Sequence, residues 1–95
     1  MRITIIGCGY VGLVTGSCMS DIGHDVLCLD INSAKIKKLN KGVIPIYEKG
    51  LDTIVSFNLK KKRLSFTSSY QKAVNHSDII FICVDTPSKK NGDAD

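Results

Sequence analysis

The sequence predicts an α/β fold, a doubly wound parallel sheet, on three observations. A glycine trio, Gly7-Cys8-Gly9-Tyr10-Val11-Gly12, stands between a β-branched run and a stretch with helical periodicity. An acidic residue, Asp30, closes a second apolar run about 20 positions further on. Apolar runs of strand length then continue to alternate with helical stretches, the pattern of parallel strands joined by crossover helices.

Each element has its own warrant. Ile3-Thr4-Ile5-Ile6 is the kind of run that forms a buried parallel strand. Leu13 to Ile22 carries an amphipathic helix in which Val11, Val14, Cys18 and Ile22 recur at helical spacing, and Gly23 sits where a C-cap glycine would end it. Val26-Leu27-Cys28-Leu29 is the second strand and ends at Asp30. Asn32 or Ser33 can cap a second helix over Ala34 to Lys41, with Ile36 and Leu39 inward and the lysines outward.

Val43 to Gly50 is apolar but holds Pro45 and Gly50, so it reads as an ordered loop. A strand is the alternative, made less attractive by the proline. Leu51, Ile54, Val55 and Leu59 fit one face of a third helix, and Leu64-Ser65-Phe66-Thr67 alternates like a half-buried strand. Ser68 or Ser69 can cap a brief helix through Val74. Ile79 to Val84 is the most apolar run and is expected to be a central strand. With right-handed crossovers the strands take the order 3-2-1-4 of a Rossmann-type sheet. Such a sheet normally continues with a further strand, so it reads as truncated, part of a longer protein.

The glycines carry the first functional argument. Gly7 permits a tight turn, Gly9 lets the backbone approach a pyrophosphate, and Gly12 lets the helix pack close to the strand. The helix start then offers unpaired N–H groups and partial positive charge to phosphates. Asp30 stands where a carboxylate grips the adenine ribose; it favours NAD over NADP because it would repel a 2′-phosphate. Lys35, one turn into the second helix, can reach the same ribose, or can be one more solvated lysine beside Lys37, Lys38 and Lys41. Thr86, just past the last strand, falls where the strand order reverses and ligands of open α/β sheets bind. A loop entry is its plain alternative.

Composition excludes other classes. The 95 residues bound the chain to one domain at most, and 43% hydrophobic with 23% charged residues is ordinary for a soluble domain. The net charge of +4 is mild, and Lys60-Lys61-Lys62-Arg63 lacks the aromatic interleaving of a nucleic-acid surface, so no nucleic-acid partner is expected. Cys8, Cys18, Cys28 and Cys83 show no metal-ligand spacing, and no metal is expected. They read as small hydrophobes in a reducing, cytoplasmic setting. No run approaches the length of a membrane span.

Several stretches together resemble the UDP-glucose/GDP-mannose dehydrogenase family. Ile5 to Leu13 is similar to its GxGYVG motif, Asp30 with Lys35 to its ribose-binding acid and base, Ile44 to Leu51 to its PIYEPGL loop, and Val84-Asp85-Thr86-Pro87 to its VGTP motif. Lys49 stands where the loop's proline is usual, and Asp85 where glycine is usual. Ile46-Tyr47 before Glu48 resembles the UDP-glucose branch more than the GDP-mannose branch. The resemblance implies oxidation of a nucleotide sugar at C6 to a carboxylate, with two NAD and a catalytic cysteine in a later part of the protein. None of the four cysteines here matches that cysteine's motif, and no catalytic residue is expected in this chain. It implies pyrophosphate held by Gly7, Gly9 and Gly12 with backbone contacts at Tyr10 and Val11, ribose held by Asp30 and Lys35, and Thr86 along the cofactor. It also implies a homo-oligomer at full length. A module that senses NAD(H) without chemistry meets the same residue pattern.

Overall fold

The computed structural model describes residues 1–45 and 48–84. Four strands and four helices follow in the order β1 (Arg2–Ile6), α1 (Tyr10–Ile22), β2 (Asp25–Leu29), α2 (Ser33–Asn40), α3 (Leu51–Lys60), β3 (Leu64–Thr67), α4 (Tyr70–His76) and β4 (Ile79–Ile82). The sheet is parallel throughout and ordered β3-β2-β1-β4, the order read from the sequence.

Strand alternation sorts the core into two layers. Ile3 and Ile5 of β1, Val26 and Cys28 of β2, and Leu64 and Phe66 of β3 pack with Leu13, Ile36, Leu39, Leu51 and Val55, so α1, α2 and α3 cover one face. Leu27 and Leu29 turn the other way and meet Ala73 of α4, with Ile6 against them. Thr4 sits on this second face, fully buried, and its hydroxyl donates to the Ala73 carbonyl at 2.8 Å. That bond satisfies a polar group which burial would otherwise penalise.

The caps are chosen where the sequence left a choice. Asn32 caps α2, its side-chain oxygen accepting from the Lys35 N–H at 3.1 Å, and Ser69 caps α4 in the same way through the Lys72 N–H. Gly23 closes α1 as expected, its N–H reaching the Ser20 carbonyl and the His24 N–H reaching that of Met19. No strand forms among the described residues between α2 and α3, in accord with the loop reading of that stretch. No helix among the described residues is long and apolar enough to cross a membrane.

Three expectations are corrected. α1 begins at Tyr10 rather than Leu13, because the chain enters helical geometry immediately after Gly9. Its inner face is Gly12, Leu13, Gly16, Ser17 and Ser20, while Val11, Cys18 and Ile22 are exposed. The helix lies so close to the sheet that a Cβ at Gly16 would stand 2.8 Å from Cys28 Sγ, so small residues join Leu13 on the inward face. Finally, β4 is an edge strand among the described residues, not a central one. All four of its residues are exposed, Ile82 to 71%.

Candidate functional site

The site is built where β1 turns into α1. Gly7 has φ of +104°, a conformation side chains disfavour, and a Cβ there would lie 2.7 Å from the Cys83 carbonyl oxygen. The turn is therefore folded tightly against the chain leaving β4, whose Cys83 N–H donates to the Ile6 carbonyl at 2.7 Å. Gly12 faces the same turn from the helix: its Cβ would fall 1.8 Å from the Gly7 carbonyl oxygen. The two positions are mutually dependent, and only glycine fits either.

The helix that follows starts without a side-chain cap. Gly9 occupies the N-cap position with extended backbone, and the first turn holds no acidic residue. The first amides of a helix have no partner inside it, so those of Tyr10, Val11 and Gly12 depend on something outside the helix. Amides and helix dipole together suit an anion.

Asp30 joins this turn directly. One carboxylate oxygen accepts from the Cys8 N–H at 3.1 Å and lies 3.5 Å from Lys35 Nζ; the other accepts from the Asn32 N–H at 3.0 Å. Partial burial pushes the Asp30 pKa up, but the Asn32 and Cys8 N–H groups and the Lys35 ammonium outweigh it and hold the carboxyl below its ordinary range. It is ionised at neutral pH. Lys35, whose side chain is 26% exposed, is thus partnered with Asp30 rather than freely solvated.

Gly7 and Asp30 border one small crevice at the C-terminal ends of the strands. Ile6, Gly7, Leu29, Asp30, Ile31, Tyr70 and Val84 enclose about 180 Å³. A larger groove, about 440 Å³, runs outside α2 between Asn32, Lys35, Lys38, Val43 and Pro45. Size alone would favour that groove. The crevice is preferred because it has the glycine turn, the acid and the strand ends together, the position where open α/β sheets bind ligands.

Of the residues singled out from the sequence, Gly7, Gly12, Asp30 and Lys35 come together, with Gly9, Tyr10 and Val11 at the start of α1. Thr86 lies outside the described residues. Two features were not foreseen. The Tyr10 hydroxyl donates to Glu48, 38 positions further along the sequence; that hydrogen bond and the carboxylate charge raise the phenol pKa. Ile31 and Tyr70 stand exposed at the crevice, and an apolar residue directly after the acid was the available signal for the first. The Cys28 thiol is pushed well up by its hydrogen bond with Cys8 and by complete burial, and a thiol so raised is a poor nucleophile.

Comparison with known proteins agrees with this geometry. The family model described as UDP-glucose/GDP-mannose dehydrogenase family, NAD binding domain, matches residues 1–95. The UDP-glucose 6-dehydrogenase of Rhizobium meliloti is 53% identical over 96 residues, covering 100% of this chain and 22% of that protein. The GDP-mannose 6-dehydrogenase of Pseudomonas aeruginosa is 50% identical over 95 residues, with the same coverage of each. Among solved structures, a ternary complex of GDP-mannose dehydrogenase from P. aeruginosa superimposes with a TM-score of 0.94 at 50% identity, covering 100% of this chain and 22% of that one. A UDP-glucose dehydrogenase from Pyrobaculum islandicum gives 0.91 at 38% identity, again over 100% and 22%. The chain thus spans about a fifth of the length of these relatives. On this match from end to end, the chain belongs to the UDP-glucose/GDP-mannose dehydrogenase family and corresponds to its NAD binding domain.

Proposed function

We propose that the chain is the NAD-binding portion of a UDP-glucose 6-dehydrogenase, an oxidoreductase that converts UDP-glucose to UDP-glucuronate with two NAD. The catalytic residues and the sugar-nucleotide site then belong to parts of the protein beyond this segment. The full protein works in the cytoplasm as a homo-oligomer. The UDP-glucose branch is preferred to the GDP-mannose branch for Ile46-Tyr47 in the loop sequence, since relatives of both kinds are about equally similar.

The observation that carries the reading is the Asp30 carboxylate, bonded to the Cys8 N–H inside the glycine turn and paired with Lys35. A dinucleotide needs amides for its diphosphate and a carboxylate for its adenine ribose within one nucleotide's reach, and these residues meet that need. In this proposal the backbone from Gly7 through Gly9 to Gly12, with the Tyr10 and Val11 amides, holds the diphosphate. Asp30 and Lys35 hold the ribose, and Thr86 lies along the cofactor. When bound, NAD supplies the hydride acceptor. The chain's own task is to fix its position. Asp30 stays ionised and would repel a 2′-phosphate, and Lys35 is already paired with that same carboxylate at 3.5 Å. NAD is therefore preferred to NADP.

Calorimetric titration with both cofactors tests this. NAD should bind, NADP at least about 10-fold more weakly, and Asp30→Ala should lose most of the NAD heat. Flat heats with a folded wild-type chain, or tighter binding of NADP, would refute the proposal.

A further inference from the structure

We infer that the Tyr10 side chain, through its hydrogen bond to Glu48, braces the first turn of α1 and so positions the amides offered to the diphosphate. This rests on the dinucleotide reading above and adds to it a positioning pair, Tyr10 and Glu48, that touches no ligand itself.

The first turn of α1 has little else to hold its outer side. Gly9 stands at the N-cap with no side-chain cap bond. Tyr10 and Val11 are 51% and 55% exposed, so neither packs the turn against the core. Gly12 and Leu13, both buried, fix it from below. The bond that closes the turn, from the Leu13 N–H to the Gly9 carbonyl at 2.9 Å, ends on a glycine, the residue with most backbone freedom to lose. Helix ends fray, and a donor that has to be ordered on binding returns part of the affinity it provides.

Glu48 stands on firmer backbone. Its carbonyl accepts the Leu51 N–H at 3.0 Å, and Leu51 lies in the core with Val55 of the same helix. At the other end of the loop, the Gly42 and Val43 N–H groups bond the Leu39 and Lys38 carbonyls. The loop is thus anchored at both ends without Tyr10, and the stabilisation from the Tyr10–Glu48 bond falls on the less held partner, the start of α1. A carboxylate brought toward an anion site is unfavourable by its charge. Glu48 therefore serves as an acceptor for the phenol, and the loop between α2 and α3 gains a task that the dinucleotide reading alone does not give it.

Calorimetry with NAD, at a temperature where every variant is folded, tests the brace. Tyr10→Phe and Glu48→Ala should each bind NAD about 5-fold more weakly, or about 1 kcal/mol, the usual worth of one hydrogen bond. The double variant should lose no more than either single one, because the same bond is removed in all three. Glu48→Gln, whose carboxamide oxygen still accepts from the phenol, should recover to within about 2-fold of wild type. In the unliganded chain, the Leu13 N–H should exchange with solvent faster in Tyr10→Phe and Glu48→Ala, and at the wild-type rate in Glu48→Gln. Wild type that binds NAD while Tyr10→Phe binds it equally well overturns the brace and leaves the dinucleotide reading intact. So do losses that add in the double variant, an unchanged Leu13 exchange, or Glu48→Gln as weak as Glu48→Ala, which would make the charge and not the bond the cause. A folded wild type that binds no NAD overturns both.

Discussion

Replacing Gly16 by alanine tests whether α1 is seated on the sheet by the absence of side chains. The new Cβ would stand 2.8 Å from Cys28 Sγ, 3.4 Å from Ile5 Cγ1 and 3.5 Å from Val26 Cγ1. Only the first distance is far too short, and Cys28 is fully buried with nowhere to swing. Overpacking of this kind costs about 2 kcal/mol, and alanine's helix preference over glycine offsets about 1 kcal/mol, so Gly16→Ala should destabilise by about 1 kcal/mol. Removing the sulfur with Cys28→Ala leaves only ordinary contacts, and there Gly16→Ala should stabilise by about 1 kcal/mol. The coupling across the double-mutant cycle is then about 2 kcal/mol, and the cavity left by Cys28→Ala cancels from it. Urea unfolding followed by circular dichroism measures all four corners. For a domain of this size each kcal/mol also moves the melting temperature by about 4–8 °C. A Gly16→Ala chain as stable as wild type, or a coupling below about 0.5 kcal/mol, would refute the close-seating argument.

Other outcomes follow from the same geometry. Gly12→Ala drives a Cβ to 1.8 Å from a backbone oxygen that cannot rotate away. It should cost about 3 kcal/mol or more and abolish NAD binding, and a wild-type melt would contradict this. Asp30 has a depressed pKa when folded, so its stabilising contribution is present above the ordinary value of 3.8 and lost as pH falls through the folded value. The stability gap between wild type and Asp30→Asn should therefore narrow in urea melts below that pH, and a gap independent of pH would show that the charge is not used. Tyr10 should ionise later than an ordinary phenol in an ultraviolet titration, and Glu48→Gln should return it toward 10.0, since Glu48 is the main cause of its raised value. An unchanged titration would mean that the Tyr10–Glu48 bond does not persist in solution.

The strand order, the element sequence and the glycine turn of the first βαβ unit were legible because they depend on local chemistry. Glycines set the turn, β-branched runs set the strands, and Asn32 and Ser69 set helix starts. The inner face of α1 was not legible. Val11, Cys18 and Ile22 recur at helical spacing, but so do Gly12, Gly16 and Ser20, one or two positions away. A search for hydrophobic periodicity selects the wrong stripe when the helix packs too closely for side chains. β4 was read as central from apolar residues on both faces, and among the described residues it has one neighbour, β1. Within the site, spacing could not decide whether Lys35 meets Asp30, because that depends on how a long side chain folds back across the start of α2. Tyr10 and Glu48 lie too far apart in sequence for any local pattern to pair them.

The bonds around Asp30 bear on how it would receive a ribose. A carboxylate offers about four acceptor positions, and three are engaged: Cys8 N–H and Lys35 on one oxygen, Asn32 N–H on the other. One ribose hydroxyl can therefore be accepted without disturbing the turn. A second has to displace a brace, and Lys35 is the one to yield, because its 3.5 Å contact is the longest of the three and its stem is flexible. Having yielded, its ammonium could donate to the displaced side of the ribose, and on the proposed reading the pair would act as one recognition unit. On the proposed reading, Lys35→Met should weaken NAD binding by several-fold, less than Asp30→Ala, because the Cys8 bond that braces the diphosphate turn survives. Calorimetry on the two single variants and the double variant measures this. Losses that simply add would separate Lys35 from Asp30 and refute the shared unit.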